Sequence, residues 1–170
     1  MLKSIFLSFV IFAMLTPLVT SAQQPATSPA KDVAGDMAKN VPKAYLPGLE
    51  QFMNIILIEH NKLWFAGKAR NWRLAEYQLG EIKEIMGDVQ DIVPTFKNLH
   101  LADMLDAVIT KEIVALEKSI EAKDQKAFVV SYDKLTQACN ACHQGTDNNF
   151  IVIKRPTQPA FTNQDYRSRR

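Results

Sequence analysis

The chain has two cysteines, Cys139 and Cys142, and a histidine, His143, directly follows the second of them. The spacing Cys-x-x-Cys-His is the attachment motif of c-type haem. Two thiols separated by two residues can add to the two vinyl groups of one haem. The adjacent imidazole is then held under the iron as its proximal ligand. The motif therefore predicts one covalently attached haem c, bound through Cys139 and Cys142, with His143 as the iron ligand.

The same cysteines have three other interpretations. A redox-active Cys-x-x-Cys usually begins a helix after a strand, whereas this motif falls at the end of a helical pattern. A structural zinc site requires four ligands at repeated spacing, and the sequence has no second cysteine pair. A structural disulfide gives His143 no role. Haem attachment uses all three residues, and the Cys139–Cys142 disulfide stays open as the main alternative.

Four stretches of the sequence have apolar residues at every third or fourth position, and the motif lies at the end of the last stretch. Such spacing places each set on one face of a helix. Short connections between helices imply antiparallel neighbours. We therefore predict an all-α fold, an up-down-up-down antiparallel four-helix bundle with a C-terminal extension; a three-helix domain with a long tail is the alternative. The four patterns are Leu49, Met53, Ile56, His60 and Leu63; Trp72, Ala75, Leu79, Ile82, Met86, Val89 and Val93; Leu105, Ile109, Ile113, Leu116 and Ile120; and Phe128, Tyr132, Leu135, Cys139 and Cys142.

Residues that favour helix ends separate these patterns. The side chains of Asn71, Asn98 and Asp124 are predicted to cap the second, third and fourth helices. Gly145 is predicted to supply the left-handed residue that ends the fourth helix. These breaks define a helical haem-binding domain over residues 46–145, and residues 146–170 form the extension.

The composition fits one small globular domain. A chain of 170 residues with 47% hydrophobic and 22% charged residues can build a core and is not disordered as a whole. A net charge of +2 gives no electrostatic basis for binding nucleic acid.

Residues 1–22 have the three parts of a secretory signal peptide. Lys3 supplies the positive charge, residues 5–18 the apolar stretch, and Thr20-Ser21-Ala22 a small-residue cleavage site. A permanent membrane anchor is the alternative, for which the apolar run is short. We expect export to the periplasm, with no stable membrane insertion after cleavage. Residues 23–45, rich in Ala, Pro, Ser and Asp, are predicted to form a flexible segment.

A signal peptide, four amphipathic helices and the motif Cys139-Asn140-Ala141-Cys142-His143 at the end of the last helix together resemble the cytochrome c′ superfamily. The resemblance implies a periplasmic monohaem bundle, often a homodimer. Some family members carry electrons through a six-coordinate, Met-ligated haem, and others bind nitric oxide or carbon monoxide at a five-coordinate haem. The extension 146–170 departs from the family, whose chains usually end soon after the motif, and this leaves the choice between the two functions open.

Met53 and His60 are the candidates for the opposite side of the iron. His143 in the last turn of an antiparallel fourth helix places the iron near the start of the first helix. His60 lies on the order of 10 Å beyond Met53 along that helix. Both this height and the distal position of the family favour Met53 as the sixth ligand, with core filling as the alternative.

His60 is predicted to be a core histidine that is hydrogen-bonded to a neighbouring helix. A polar group of the distal pocket and a sixth ligand are its alternative roles. His100 is predicted to lie at the surface or at a helix cap.

The extension is basic, because residues 154–170 carry five basic residues and one acidic residue. Residues 150–153 are predicted to cover the haem edge, where Lys154 or Arg155 would pair with a haem propionate. A tail with solvated charges is the alternative. The terminal arginines are suited to steering an acidic redox partner.

Two functions lead at this stage: electron transfer through a Met-ligated haem, with a redox protein as partner, and binding of a diatomic gas at an open haem. An enzyme such as a peroxidase needs an acid–base pair beside the iron. Only His60 offers itself, so we predict no catalytic residues. A helical binding module with a Cys139–Cys142 disulfide is the interpretation without haem.

Overall fold

The computed structural model describes residues 46–168. The predicted signal peptide (1–22), the segment 23–45 and the last two arginines lie outside the described residues. Among the helices of residues 46–168, none is long and apolar enough to cross a membrane.

The described chain is mostly helical, which confirms the predicted all-α class. Helix α1 is Leu49–Lys68, α2 is Trp72–Ile92 and α4 is Gln125–Gly145. Helix α3 runs without a break through three parts, α-helical Leu101–Leu105, π-helical Asp106–Thr110 and α-helical Lys111–Glu121. Between α2 and α3, strands β1 (Thr95–Phe96) and β2 (Leu99–His100) form an antiparallel hairpin that pairs Thr95 with His100 and Phe96 with Leu99.

The apolar faces predicted for the four helices, which we call the apolar stripes, form the core. Leu63, Val89, Leu116, Phe128 and Tyr132, one or two from each long helix, are fully buried. Burial of a side chain of this size stabilises the fold by about 1.5–3 kcal/mol. Near the motif, the predicted core residues Met53 and Cys139 are half-buried and pack at the edge of the core.

Two of the predicted helix caps are confirmed. The Asn71 side chain accepts a hydrogen bond from the backbone N–H of Leu74 at 3.2 Å. The Asp124 carboxylate accepts from the N–H groups of Lys126 and Ala127 at 2.8 and 3.0 Å. Each cap satisfies donors that have no partner within the first helical turn.

Two predicted helix ends are wrong. Asn98 does not cap α3; it occupies the turn of the hairpin, where Lys97 and Asn98 have φ values of 49° and 65°. Asparagine tolerates this left-handed conformation, which a two-residue hairpin turn requires. At the end of α4, Gly145 is still helical and Asp147 is the left-handed residue, with φ 57°. The Asn148 N–H then reaches the His143 carbonyl at 2.8 Å, which closes the helix as a Schellman motif.

Helices α1 and α4 approach each other at one end and separate at the other. A Cβ atom on Gly67 would overlap the Phe128 ring, so this close approach requires glycine. Further along α4, Tyr132 bonds His60. Beyond that level, Met53 of α1 and Cys139 of α4 face a common cavity. From the packed end to the cavity, the contacting residues of α1 have falling numbers and those of α4 have rising numbers. The two helices therefore run in opposite directions.

We expect Gly67→Ala to destabilise the fold by about 1–3 kcal/mol, because the new methyl group must displace the Phe128 ring from a closely packed site. Urea unfolding followed by circular dichroism measures the loss. Gly80→Ala is the matched control, since a Cβ there meets nothing within 4 Å. Within helix α2 that change should stabilise the protein by about 0.5–1 kcal/mol. Equal stability of the Gly67→Ala variant and the unchanged protein would contradict the close approach.

Candidate functional site

A cavity of about 410 Å³ lies between the first half of α1 and the last turns of α4. Its walls are mainly aliphatic. Five of the six predicted site residues line it, namely Cys139, Cys142, His143, Met53 and His60. The structure therefore brings together residues that are up to 90 positions apart in the sequence.

The cysteine–histidine motif occupies the last two turns of α4, as predicted. Residues three and four positions apart share one face of a helix, so Cys139, Cys142 and His143 all face the cavity. A residue of the hairpin contacts the end of this helix: Lys97 Nζ donates to the Thr146 carbonyl at 3.0 Å. A cation at this position also interacts favourably with the negative end of the helix dipole.

One nitrogen of His143 is already bound within the protein. Nδ1 lies 2.9 Å from the backbone carbonyl oxygen of Ile151. A carbonyl only accepts hydrogen bonds, so Nδ1 carries a proton, and in the neutral imidazole Nε2 is then the nitrogen with the lone pair. A histidine in this state is prepared to bind a metal through Nε2.

The two cysteines are free thiols with unusual electrostatics. Burial raises the pKa of Cys139 to about 12 and also raises the pKa of Cys142. Catalytic thiols of disulfide exchange have lowered pKa values instead and often lie at the start of a helix. Raised pKa values at the end of a helix disfavour thiol–disulfide chemistry at this motif.

His60 is a buried histidine with partners on both ring nitrogens. Nε2 lies 2.9 Å from Thr136 Oγ1, and Nδ1 lies 3.0 Å from the Tyr132 hydroxyl, both on α4. The Tyr132 hydroxyl also donates to the His60 carbonyl at 2.9 Å, and its ring stacks on the imidazole. This is the predicted core histidine bonded to a neighbouring helix.

Arg155 and His100 do not line the cavity. The Arg155 guanidinium forms two hydrogen bonds with the Asp133 carboxylate and lies over the Trp64 ring, 4.6 Å from its centroid. Among the described residues Arg155 is thus held by Asp133 and Trp64, and its pairing with a haem propionate stays a prediction. His100 is exposed at the end of strand β2, as expected for a surface residue.

The extension supplies one wall of the cavity. Ile151 and Ile153 line it, whereas Phe150 and Val152 are 77% and 71% exposed. This alternation is typical of an extended chain. Residues 150–153 were predicted to cover the site, and Ile151 and Ile153 line it. Asn140, whose side chain bonds the backbone of Ile153, was not predicted. Because the spacer positions of the motif accept many residue types, the motif itself gave no signal for this role.

Thr136 was also missed, although a signal for it exists. It lies seven residues before His143 and three before Cys139, and this spacing puts it on the cavity face of α4. A threonine at such a position is a ready partner for a buried histidine of the facing helix.

The residues of the cavity fit a covalently attached haem. The two free thiols, a histidine with Nε2 available and a mainly aliphatic lining are the groups that such a cofactor requires. Comparisons of the chain with protein-family models, with curated proteins and with solved structures found no match.

The stability of the protein should depend on pH through His60. Burial lowers the pKa of His60 from 6.5 to about 4. Between these values the unfolded chain binds more protons than the folded one, so the free energy of unfolding rises with pH. We expect acidification from pH 7 to pH 4 to destabilise the fold by about 3 kcal/mol through this residue.

Urea unfolding at a series of pH values measures this dependence. The His60→Gln variant should lose it, whereas a variant of the exposed histidine, His100→Gln, should retain it. The same pH dependence in all three proteins would contradict the assignment to His60.

Proposed function

We propose that the protein is a c-type cytochrome that transfers electrons through one covalently attached haem. The observation that carries the proposal is the convergence of Cys139, Cys142 and His143 on one apolar cavity. Nδ1 of His143 is bonded to the Ile151 carbonyl, and Nε2 has no hydrogen-bond partner among residues 46–168. The two cysteines would hold the haem through thioether bonds, and His143 Nε2 would bind its iron. When bound, the haem supplies reversible one-electron chemistry.

We propose the up-down-up-down four-helix bundle of the cytochrome c′ superfamily as the arrangement of the helices. Support comes from the opposite directions of α1 and α4 and from the short connections after α1 and before α4. The cavity lies at the end of the pair where α1 begins and α4 ends, which is where this family carries its haem.

Met53 is our candidate for the sixth ligand. It lines the cavity on the side of α1, opposite the motif, and it is half-buried. A thioether ligand stabilises ferrous iron and raises the reduction potential. His60, the alternative, has both ring nitrogens in hydrogen bonds with Tyr132 and Thr136. Ligation by His60 would break one of these bonds in a buried site, which is unfavourable.

Binding of a diatomic gas is the second candidate function. Both His60 nitrogens are engaged in hydrogen bonds, so no free imidazole N–H remains to bond a haem ligand or to act as an acid or base. This arrangement favours simple binding of a gas over catalysis with oxygen or peroxide. An apolar cavity of this kind suits carbon monoxide or nitric oxide. We propose no catalytic residues.

We further propose that the protein acts in the periplasm after cleavage near Ala22. Its partner would be a redox protein, or a diatomic gas for the second function, and a homodimer follows from the resemblance. Nucleic acid and the membrane interior are not among the proposed partners.

Optical spectra of protein matured in a bacterial periplasm test the attachment. The unchanged protein should show one covalent haem that remains bound after denaturation. A protein with Cys139→Ala and Cys142→Ala should lose it. A colourless unchanged protein with a Cys139–Cys142 disulfide would overturn the proposal in favour of a helical binding module.

The ligand of the sixth position can be identified with two methionine variants. Met53→Leu should convert a low-spin haem to a high-spin one, because leucine fills a similar volume but offers no sulfur. Met86 also lines the cavity, so Met86→Leu is the matched control and should leave the spectrum unchanged. A high-spin unchanged protein that shifts under carbon monoxide would instead make gas binding the leading function.

A further inference from the structure

The C-terminal extension lies against α1 and α4 through four sets of contacts made by side chains. We call residues 151–167 the strap. Asn140 bonds the backbone of Ile153, Arg155 pairs with Asp133, and Asn61 bonds the backbone of Gln158 and Ala160. At the far end Tyr166 packs on Phe65, with ring centroids 5.6 Å apart, and Asn71 donates to the Tyr166 carbonyl. The strap thus runs from the motif to the opposite end of α1.

Two asparagines hold the strap in the same way. The Asn140 amide donates to the Ile153 carbonyl at 2.8 Å and accepts from the Ile153 N–H at 2.7 Å. The Asn61 amide donates to the Gln158 carbonyl at 3.0 Å and accepts from the Ala160 N–H at 2.7 Å. Each asparagine side chain therefore bonds a backbone N–H and a backbone C=O group of the strap, as a neighbouring strand would do in a sheet. Only the Asn140 pair lies beside the cavity.

The strap provides the acceptor that fixes His143. The Ile151 carbonyl that binds Nδ1 is two residues from the peptide groups held by Asn140. The carbonyls of the last turn of α4 accept from other donors: those of Cys142, His143 and Gln144 accept from the N–H groups of Thr146, Asn148 and Asp147. The orientation of the His143 ring thus depends on the position of the strap at Ile151. Two contacts hold Ile151 there: its own N–H donates to the Asn148 carbonyl at 2.8 Å, and Asn140 bonds the peptide groups of Ile153 two residues later.

A hydrogen bond from the second nitrogen of a metal-binding histidine has two effects. It fixes the tautomer and the ring orientation, and it raises the basicity of the ligating nitrogen. A more basic ligand stabilises ferric iron over ferrous iron. The bond to Ile151 would therefore lower the reduction potential of an iron held by His143.

We propose that Asn140 is a positioning residue for the iron ligand: by clamping the strap at Ile153 it holds the Ile151 carbonyl on His143 Nδ1, and it thereby sets the electron affinity of the iron. This inference rests on the proposed function. It gives the strap and a spacer residue of the motif a part in tuning the site, beyond the attachment of the haem.

The test compares Asn140→Ala with Asn61→Ala in the full-length haem protein. Both variants lose two amide hydrogen bonds to the strap, and both keep Cys139, Cys142 and His143. In the Asn140→Ala protein the His143 Nδ1–H, followed by NMR of the ferrous state, should exchange with solvent on the order of tenfold faster. The reduction potential should shift to more positive values. Asn61→Ala should leave both quantities as in the unchanged protein.

Each other outcome is decisive. An unchanged exchange rate and potential in Asn140→Ala would overturn the inference while the attached haem upholds the proposed function. Equal changes in both variants would overturn it too, because the strap as a whole would then act rather than Asn140. An unchanged protein without haem would overturn the proposed function and the inference together. If Asn140→Ala fails to take up haem, Asn140→Leu, which has a similar volume, removes both hydrogen bonds to Ile153 and adds no charge, is measured by the same criteria.

Discussion

The contact between Gly67 and Phe128 sets the geometry on which the candidate site depends. It allows α1 and α4 to meet at one end, where Trp64 and Trp72 surround the Phe128 ring with centroids 6.3 and 6.0 Å away. From this contact the two helices separate towards the end that carries the motif, where the cavity lies between them. Near the motif the facing residues include Met53 and Cys139, which leave the gap open as a cavity. The tight packing and the cavity thus lie at opposite ends of the same helix pair, and a densely packed core resists the deformation that would close the cavity.

The hydrogen bonds of His60 lie between the packed end and the open end. A polar ring at this depth is unfavourable unless its nitrogens find partners. Tyr132 and Thr136 provide them from the facing helix, and the Thr136 hydroxyl also reaches the carbonyl of Tyr132 at 3.0 Å. Such a network specifies how far α1 is shifted along α4, since a shift by one residue would separate every pair. It therefore fixes the height of Met53 relative to His143 more sharply than apolar packing would.

The helical part of the structure could be predicted from local sequence patterns, and the two wrong helix ends, Asn98 and Gly145, have local causes as well. The stripes and the caps Asn71 and Asp124 follow from spacing within a few residues, and so does the motif at the end of α4. Asn98 has the same preference for caps and for left-handed turns, and the sequence alone does not show that a hairpin precedes α3. At Gly145 the general preference for glycine was overridden, because Asp147 closes the helix two residues later. The position of Arg155 depended on Asp133 and Trp64, which no short-range pattern connects to it.

The strap shows why the completion of the candidate site could not be predicted. An extended segment with prolines and polar residues carries no period, and its path is set by single side chains on helices that are distant in sequence. Asn61, Asn71 and Asn140 are each compatible with an exposed helix surface, and only the assembled fold shows that they bond the same segment. Residues 46–145 contain the motif and both distal candidates, but the acceptor for His143 Nδ1 comes from Ile151. A domain boundary drawn after the last helix, as the sequence pattern suggests, therefore separates the histidine from the group that orients it.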